Sequence, residues 1–233
     1  MEFTLLAAAA TGAAAVWLTN RLRSGRISVD RPTDTIVGAA AAGLLLGRLA
    51  AMIGAGVNPV TNPGDILVVR GGVSTGFAAL GAITVLAWTH RQALPTALDQ
   101  LAPAAVAGLA GWHGGCLWRN TCLGEVSDLP WAMASTGTAV TRHPVELYAA
   151  AGMLLVAVLA SRLATRPWHA TGAALAGAGT VRLLTEPLRV SIAGGPVWWY
   201  AAAVVVGVAI VFGGQRAMRT IPPGPGSIEI TPP

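Results

Sequence analysis

Between Trp112 and Tyr148 the chain reads WHGGCLWRNTCLGEVSDLPWAMASTGTAVTRHPVELY, a polar island between two strongly apolar segments. It carries Cys116 and Cys122, His113 and His143, Arg119 and Arg142, and the acids Glu125, Asp128 and Glu146. On either side the sequence is mostly Ala, Leu, Val and Gly. The apolar flanks decide the fold, and the island is the first place to look for chemistry.

Composition sets the class. Of 233 residues, 54% are hydrophobic and only 11% are charged, and the mean hydropathy is +0.61. A soluble domain carries charge on about a quarter of its residues. The expected fold is therefore an all-α integral membrane protein. Its basic side chains are all arginine, and the formal charge is +5. These arginines are scattered through loops without interleaved aromatics, which excludes a nucleic-acid partner.

Apolar runs near the length of a bilayer crossing predict about seven spans: Phe3–Leu18, Thr35–Val57, Ser74–Thr89, Ala102–Trp118, Val145–Leu163, Ala170–Leu184 and Val197–Phe212. The first run has basic residues after it and none before, so it reads as a retained span and not a cleaved signal. Arg21, Arg23, Arg26 and Arg31 follow the first span and Arg91 the third. Arg162 and Arg166 follow the fifth, and Arg216 and Arg219 the seventh. Positive charge marks the cytoplasmic side, which puts the N-terminus outside and the C-terminus inside. The island then faces outward with the loops Asn58–Gly72 and Pro187–Pro196, and Trp198, Trp199 and Tyr200 form an aromatic belt there. Residues 1–219 make one membrane domain, and the Pro- and Gly-rich residues 220–233 a disordered cytoplasmic tail. No repeat relates the two halves, which argues against an inverted-repeat transporter.

Several polar residues need a reason to be there. Arg48 lies mid-span in GLLLGRLAAM, where a guanidinium must face a polar cavity or be paired. It is a substrate-binding candidate; the alternative is a structural pair with a carboxylate or backbone carbonyls. Arg182, Glu186 and Arg189 in VRLLTEPLRV share a helix face, with Pro187 ending or kinking the helix. Two guanidiniums and a carboxylate suit an anionic headgroup, because the fork matches phosphate oxygens. For Arg189 alone, an interfacial anchor is the competing reading. The run Arg142-His143-Pro144-Val145-Glu146 reads as a loop entering a helix, where the amide end and Arg142 suit an anion. His113, Cys116 and Cys122 lack a fourth ligand, so no metal is expected, and the cysteines are either bridged or packed thiols. His90, His169 and Asp99 fall at the arginine-rich ends and read as solvated.

These segments together resemble the prolipoprotein diacylglyceryl transferases. RHPVELYAA is similar to that family's RHPxQLYEA signature, and VRLLTEPLR to its RFxxExxR segment. GCLWRNTCLG with LPWAM resembles the signature loop in a cysteine-bearing variant, while LGRLAAMI and NPGDILVVRGGVSTG fall where the family has an arginine-bearing span and a GG loop. The sequence also departs from the pattern. His113 stands where the loop's arginine is expected and Thr121 where an acid is expected. Gly76 stands nearest the position of a histidine, a first-span tyrosine is missing, and Glu146 replaces the usual Gln.

The resemblance implies an enzyme of the bacterial plasma membrane. It would move the diacylglyceryl group of phosphatidylglycerol, or of another anionic phospholipid, to a lipoprotein-precursor cysteine or another acceptor, without a cofactor. Substrate binding then falls to Arg48, Arg142, Arg182, Arg189 and Glu146, and base catalysis to His113, His143 or Glu186. The other reading is a catalytically depleted relative that binds lipid as a binding or assembly component.

Overall fold

The computed structural model describes residues 2–67, 72–119, 122–134, 137–164, 167–190 and 197–219. Its long helices are α1 (Glu2–Leu22), α2 (Pro32–Gly54), α4 (Thr75–Thr89), α5 (Leu94–Gly114), α7 (Val145–Leu163), α8 (His169–Thr185) and α9 (Val197–Arg219). Two short helices, α3 (Gly64–Leu67) and α6 (Cys116–Arg119), lie in the connections. Each of the apolar runs expected from the sequence overlaps one long helix, the fourth only in part. Three are long and apolar enough to cross a membrane: Pro32–Gly54, Val145–Leu163 and Val197–Gly214, while Thr75–Thr89 is apolar but shorter. The protein is thus a helical membrane protein. The tail expected over residues 220–233 lies outside the described residues.

α5, α7 and α8 form the centre, with α1 laid on α5, α9 on α8, and α2 paired with α4. The central seam is small and apolar: Val106, Ala107 and Ala110 of α5 meet Met153, Val156, Ala157 and Ala160 of α7 and Ala174 of α8. Large side chains point away from it, and Leu44, Leu80, Leu155, Val205 and Phe212 are exposed. That inside-out distribution suits a hydrocarbon solvent, where close packing of small residues replaces the hydrophobic effect between helices. The α8–α9 contact shows how tight this is. A Cβ on Gly207 would lie 2.4 Å from Ala176 N and 2.6 Å from Gly172 O.

α5 differs from its predicted span. It starts at Leu94 and stops at Gly114, before the separate turn α6. Pro95 sits in its first turn, where a missing amide costs nothing. The early start also corrects the reading of Asp99. That residue is 3% exposed, and its carboxylate accepts the N–H groups of Trp168 and Thr171 and the Thr171 hydroxyl. It caps α8 from a neighbouring helix, holding Trp168 in the left-handed region at φ 68°. His169 is also buried, with Nδ1 3.0 Å from Pro167 O, and Nε2 of His90 is buried. Asp99 and His169 are therefore not solvated end residues, because the facing ends of α5 and α8 pack on each other, whereas His90 is half-buried with Nε2 covered.

The all-α expectation needs one small addition. Met133–Ala134 (β1) and Thr141–Arg142 (β2) pair antiparallel, Met133 opposite Arg142, and Val126 bridges to Arg142 on the far side. This ladder folds the island onto the ends of α5, α7 and α8.

Candidate active site

At the island end of the bundle, four helix termini meet. α5 supplies His113 and α7 supplies Glu146. α8 carries Arg182 in its last turn, and its 3-10 continuation Glu186–Leu188 adds Glu186. α9 begins with Tyr200 in its first turns. Pro187 tightens the end of α8, so that Arg189 turns back onto the same group.

Glu146 and Glu186 are interleaved with two guanidiniums. Arg182 Nη2 donates to Glu186 Oε2 at 3.1 Å, and Arg189 Nη1 reaches the same oxygen at 3.4 Å. Arg189 Nε lies 3.3 Å from Glu146 Oε1, and Arg182 Nη1 lies 3.9 Å from Glu146 Oε2. His113 Nδ1 completes the set, 2.5 Å from Glu146 Oε2. Arg182 and Glu186 are 8% and 6% exposed, whereas the Arg189 side chain is 40% exposed. Arg182 Nη1 and Glu186 Oε1 are buried without a hydrogen-bond partner among the described residues. A buried donor and acceptor left open cost free energy unless something else fills them. The two acids balance the two arginines, so the cluster is neutral when His113 is neutral.

Arg142 and His143 reach this end through backbone. Arg142 Nη1 donates to Gly124 O at 3.0 Å, and Gly124 N–H donates to His143 O at 2.8 Å. Glu125 N–H donates to Leu188 O at 2.8 Å, which ties the strip to the turn after α8. The approach leaves no room for a side chain, since a Cβ on Gly124 would lie 2.0 Å from Leu188 O. Among the described residues no carboxylate lies within ion-pair distance of Arg142. His143 Nδ1 is 3.4 Å from the Tyr148 hydroxyl, which also receives the Trp131 indole N–H at 2.8 Å. The amide of Glu146 donates to Cys122 O at 3.3 Å, so part of the α7 amide end is already paired.

Cys116 and Cys122 form a disulfide, with their Cα atoms 5.0 Å apart, which resolves the choice between bridge and thiols and removes both from any ligand set. Both are buried. The bridge pins the strip beginning at Cys122 to α6, three residues past His113. Arg48 stands apart from the cluster. Its Nε and Nη2 donate to Asp65 O at 2.9 and 2.8 Å, and Nη1 to Gly72 O at 2.9 Å. These are the backbone carbonyls of the structural alternative, and they shape the α2–α4 connection.

Of the residues singled out from the sequence, His113, Glu146, Arg182, Glu186 and Arg189 come together directly. Arg142 and His143 dock alongside, and Arg48 does not join. Tyr200 was missed. Its hydroxyl is 3.4 Å from Arg182 Nη2, and the guanidinium carbon lies 5.3 Å from its ring centre. Sequence placed it with Trp198 and Trp199, which stack on each other with ring centres 3.8 Å apart. The only signal separating it was its place after them, on the next face of the helix.

The chain matches the family model for prolipoprotein diacylglyceryl transferase over residues 2–220. Among curated relatives, the phosphatidylglycerol–prolipoprotein diacylglyceryl transferase of Pseudoalteromonas translucida (strain TAC 125) is 35% identical over 129 residues, 52% of this chain and 48% of the relative. The enzyme of the same name from Vibrio vulnificus (strain YJ016) is 36% identical over 127 residues, 51% and 47% of the two chains. That of Aliivibrio fischeri (strain MJ11) is 32% identical over 158 residues, 64% and 56%. The chain therefore spans about half the length of the curated relatives it matches.

Proposed function

The chain belongs to the prolipoprotein diacylglyceryl transferase family, and from that premise we propose that it transfers the diacylglyceryl group of phosphatidylglycerol to the cysteine thiol of a lipoprotein precursor. The thiol loses its proton, the sulfur forms a C–S bond to the glyceryl carbon, and that carbon's bond to the phosphate oxygen breaks. Glycerol phosphate leaves with the electron pair of the broken C–O bond, so its phosphate goes from one negative charge to two.

The observation that carries this reading is the buried, open donor at Arg182 Nη1 beside a charge-balanced cluster. Arg182 and Arg189 already face Glu146 and Glu186, so they can orient a phosphate but not neutralise it alone. Arg142, which no described carboxylate touches, supplies the remaining charge. Oriented cations in a low-dielectric site stabilise a developing phosphate charge far better than water does. Tyr200 and Glu186 keep the Arg182 fork in place while lipid is absent. His113, His143 and Glu186 are the groups able to take the thiol proton. Arg48 acts at most from the edge, through the loop carbonyls it holds.

In this reading the seven long helices all cross the bacterial plasma membrane, with the N-terminus outside, the C-terminus in the cytoplasm and the site at the outer face. The arginine asymmetry supports that orientation, as does the disulfide, which belongs on the oxidising side. The test is glycerol phosphate release from phosphatidylglycerol by the purified protein, with and without a precursor peptide bearing the acceptor cysteine. Release that requires the thiol supports transfer; lipid binding without release would leave only a binding component.

A further inference from the structure

We infer that His113 is the base that ionises the acceptor thiol and that Glu146 is its positioning carboxylate, a role that rests on the transferase reading and selects one base from the three available. His113 Nδ1 lies 2.5 Å from Glu146 Oε2. A carboxylate facing two guanidiniums is an acceptor, so Nδ1 carries the proton and the lone pair sits on Nε2. Nε2 has no hydrogen-bond partner among the described residues, and the side chain is 16% exposed, so it remains reachable. Nucleophile activation requires this arrangement: a base whose far nitrogen is fixed by a third group.

The other two candidates lack it. Glu186 presents Oε2 to both Arg182 and Arg189 as a counter-ion, and its open Oε1 is buried away from an incoming thiol, with the side chain only 5% exposed. His143 meets no carboxylate among the described residues; its Nδ1 faces the Tyr148 hydroxyl at 3.4 Å and its backbone is pinned in the ladder.

Charge also balances through the step. The proton moves from the acceptor sulfur to His113 Nε2 as the C–S bond forms. His113 becomes an imidazolium as the phosphate leaving group gains its second negative charge, beside Arg182 and Arg189. The proton then passes to the departing phosphate or to water, restoring neutral His113.

The test compares a cysteine acceptor peptide with the same peptide carrying selenocysteine, whose selenol is already ionised at neutral pH and needs no base. Phosphatidylglycerol is supplied in detergent micelles, and the variant is His113→Asn, whose amide nitrogen keeps the bond to Glu146 but offers no lone pair. Wild type turns over both acceptors. His113→Asn is expected to lose roughly a hundredfold or more in kcat on the thiol and under about tenfold on the selenol. Glu146→Gln should lower kcat on the thiol without raising KM for the lipid. Equal losses on both acceptors, or full activity on the thiol, overturn the role of His113. A raised KM with unchanged kcat for Glu146→Gln overturns the positioning role. Wild type inactive on both acceptors overturns the transferase reading itself.

Discussion

Arg182 Nη2 donates to Glu186 Oε2 at 3.1 Å, one helical turn along α8, and both groups are buried. The pair sits at the meeting point of four helix ends, with Arg189 on the same carboxylate oxygen and Tyr200 against the guanidinium. Removing Arg182 leaves the buried Glu186 carboxylate with only the longer contact to the more exposed Arg189. Arg182→Ala should therefore destabilise the protein by up to about 3–5 kcal/mol, the range for losing one partner of a buried ion pair. The double variant Arg182→Ala with Glu186→Ala should recover part of that loss. Thermal unfolding in detergent reads both, and an additive double variant would mean that the two groups do not depend on each other.

Arg142 tests the anion site without disturbing this pair. It holds one backbone carbonyl, Gly124 O, and its charge is not matched by a described carboxylate. Arg142→Ala should weaken binding of phosphatidylglycerol by about 1.5–3 kcal/mol, roughly ten- to a hundredfold in Kd. Arg142→Lys should recover only part of it, since an ammonium lacks the two-pronged fork. Binding to phosphatidylglycerol nanodiscs measures the effect. Full rescue by lysine would show that charge alone matters there.

At the other end of the bundle, Asp99 accepts from Trp168 N–H and from both the amide and hydroxyl of Thr171. Asp99→Ala leaves these donors buried and unpaired, at about 1–3 kcal/mol. The midpoint of thermal unfolding should fall. Glycerol phosphate release at low temperature should persist, because the cluster lies at the opposite ends of α5 and α8. An unchanged midpoint would contradict the capping role.

Apolar runs marked the long helices, because continuous apolar sequence suits hydrocarbon, but they missed where α5 begins, at Leu94 and not Ala102. The spacing of Arg182, Glu186 and Arg189 placed them on one face, which the i to i+4 geometry of α8 carries through. The partners from other helices were not legible. Nothing local in the sequence says that His113 and Glu146, 33 residues apart, come within 2.5 Å, or that Asp99 caps a helix 69 residues away. Those contacts depend on how helix ends stack. Arg48 shows the converse difficulty: its depth in the apolar run signalled a polar partner, and only the fold shows that the partners are Asp65 O and Gly72 O.

Orientation rests on the arginines after the odd-numbered spans. A phosphatase reporter fused after Arg219 should be inactive, and a cytoplasmic fluorescent reporter at that position bright. The reverse pattern would place the tail outside and break the drawing of seven spans.

The most direct measurement is the mass of the acceptor. Purified protein is incubated with phosphatidylglycerol of defined acyl chains and a precursor peptide containing one cysteine, and the peptide is weighed. The expected result is a peptide heavier by one diacylglyceryl group, blocked at its thiol, with equimolar glycerol phosphate released and no product from the Cys→Ser peptide. A peptide of unchanged mass, from protein that still binds the lipid, would contradict it.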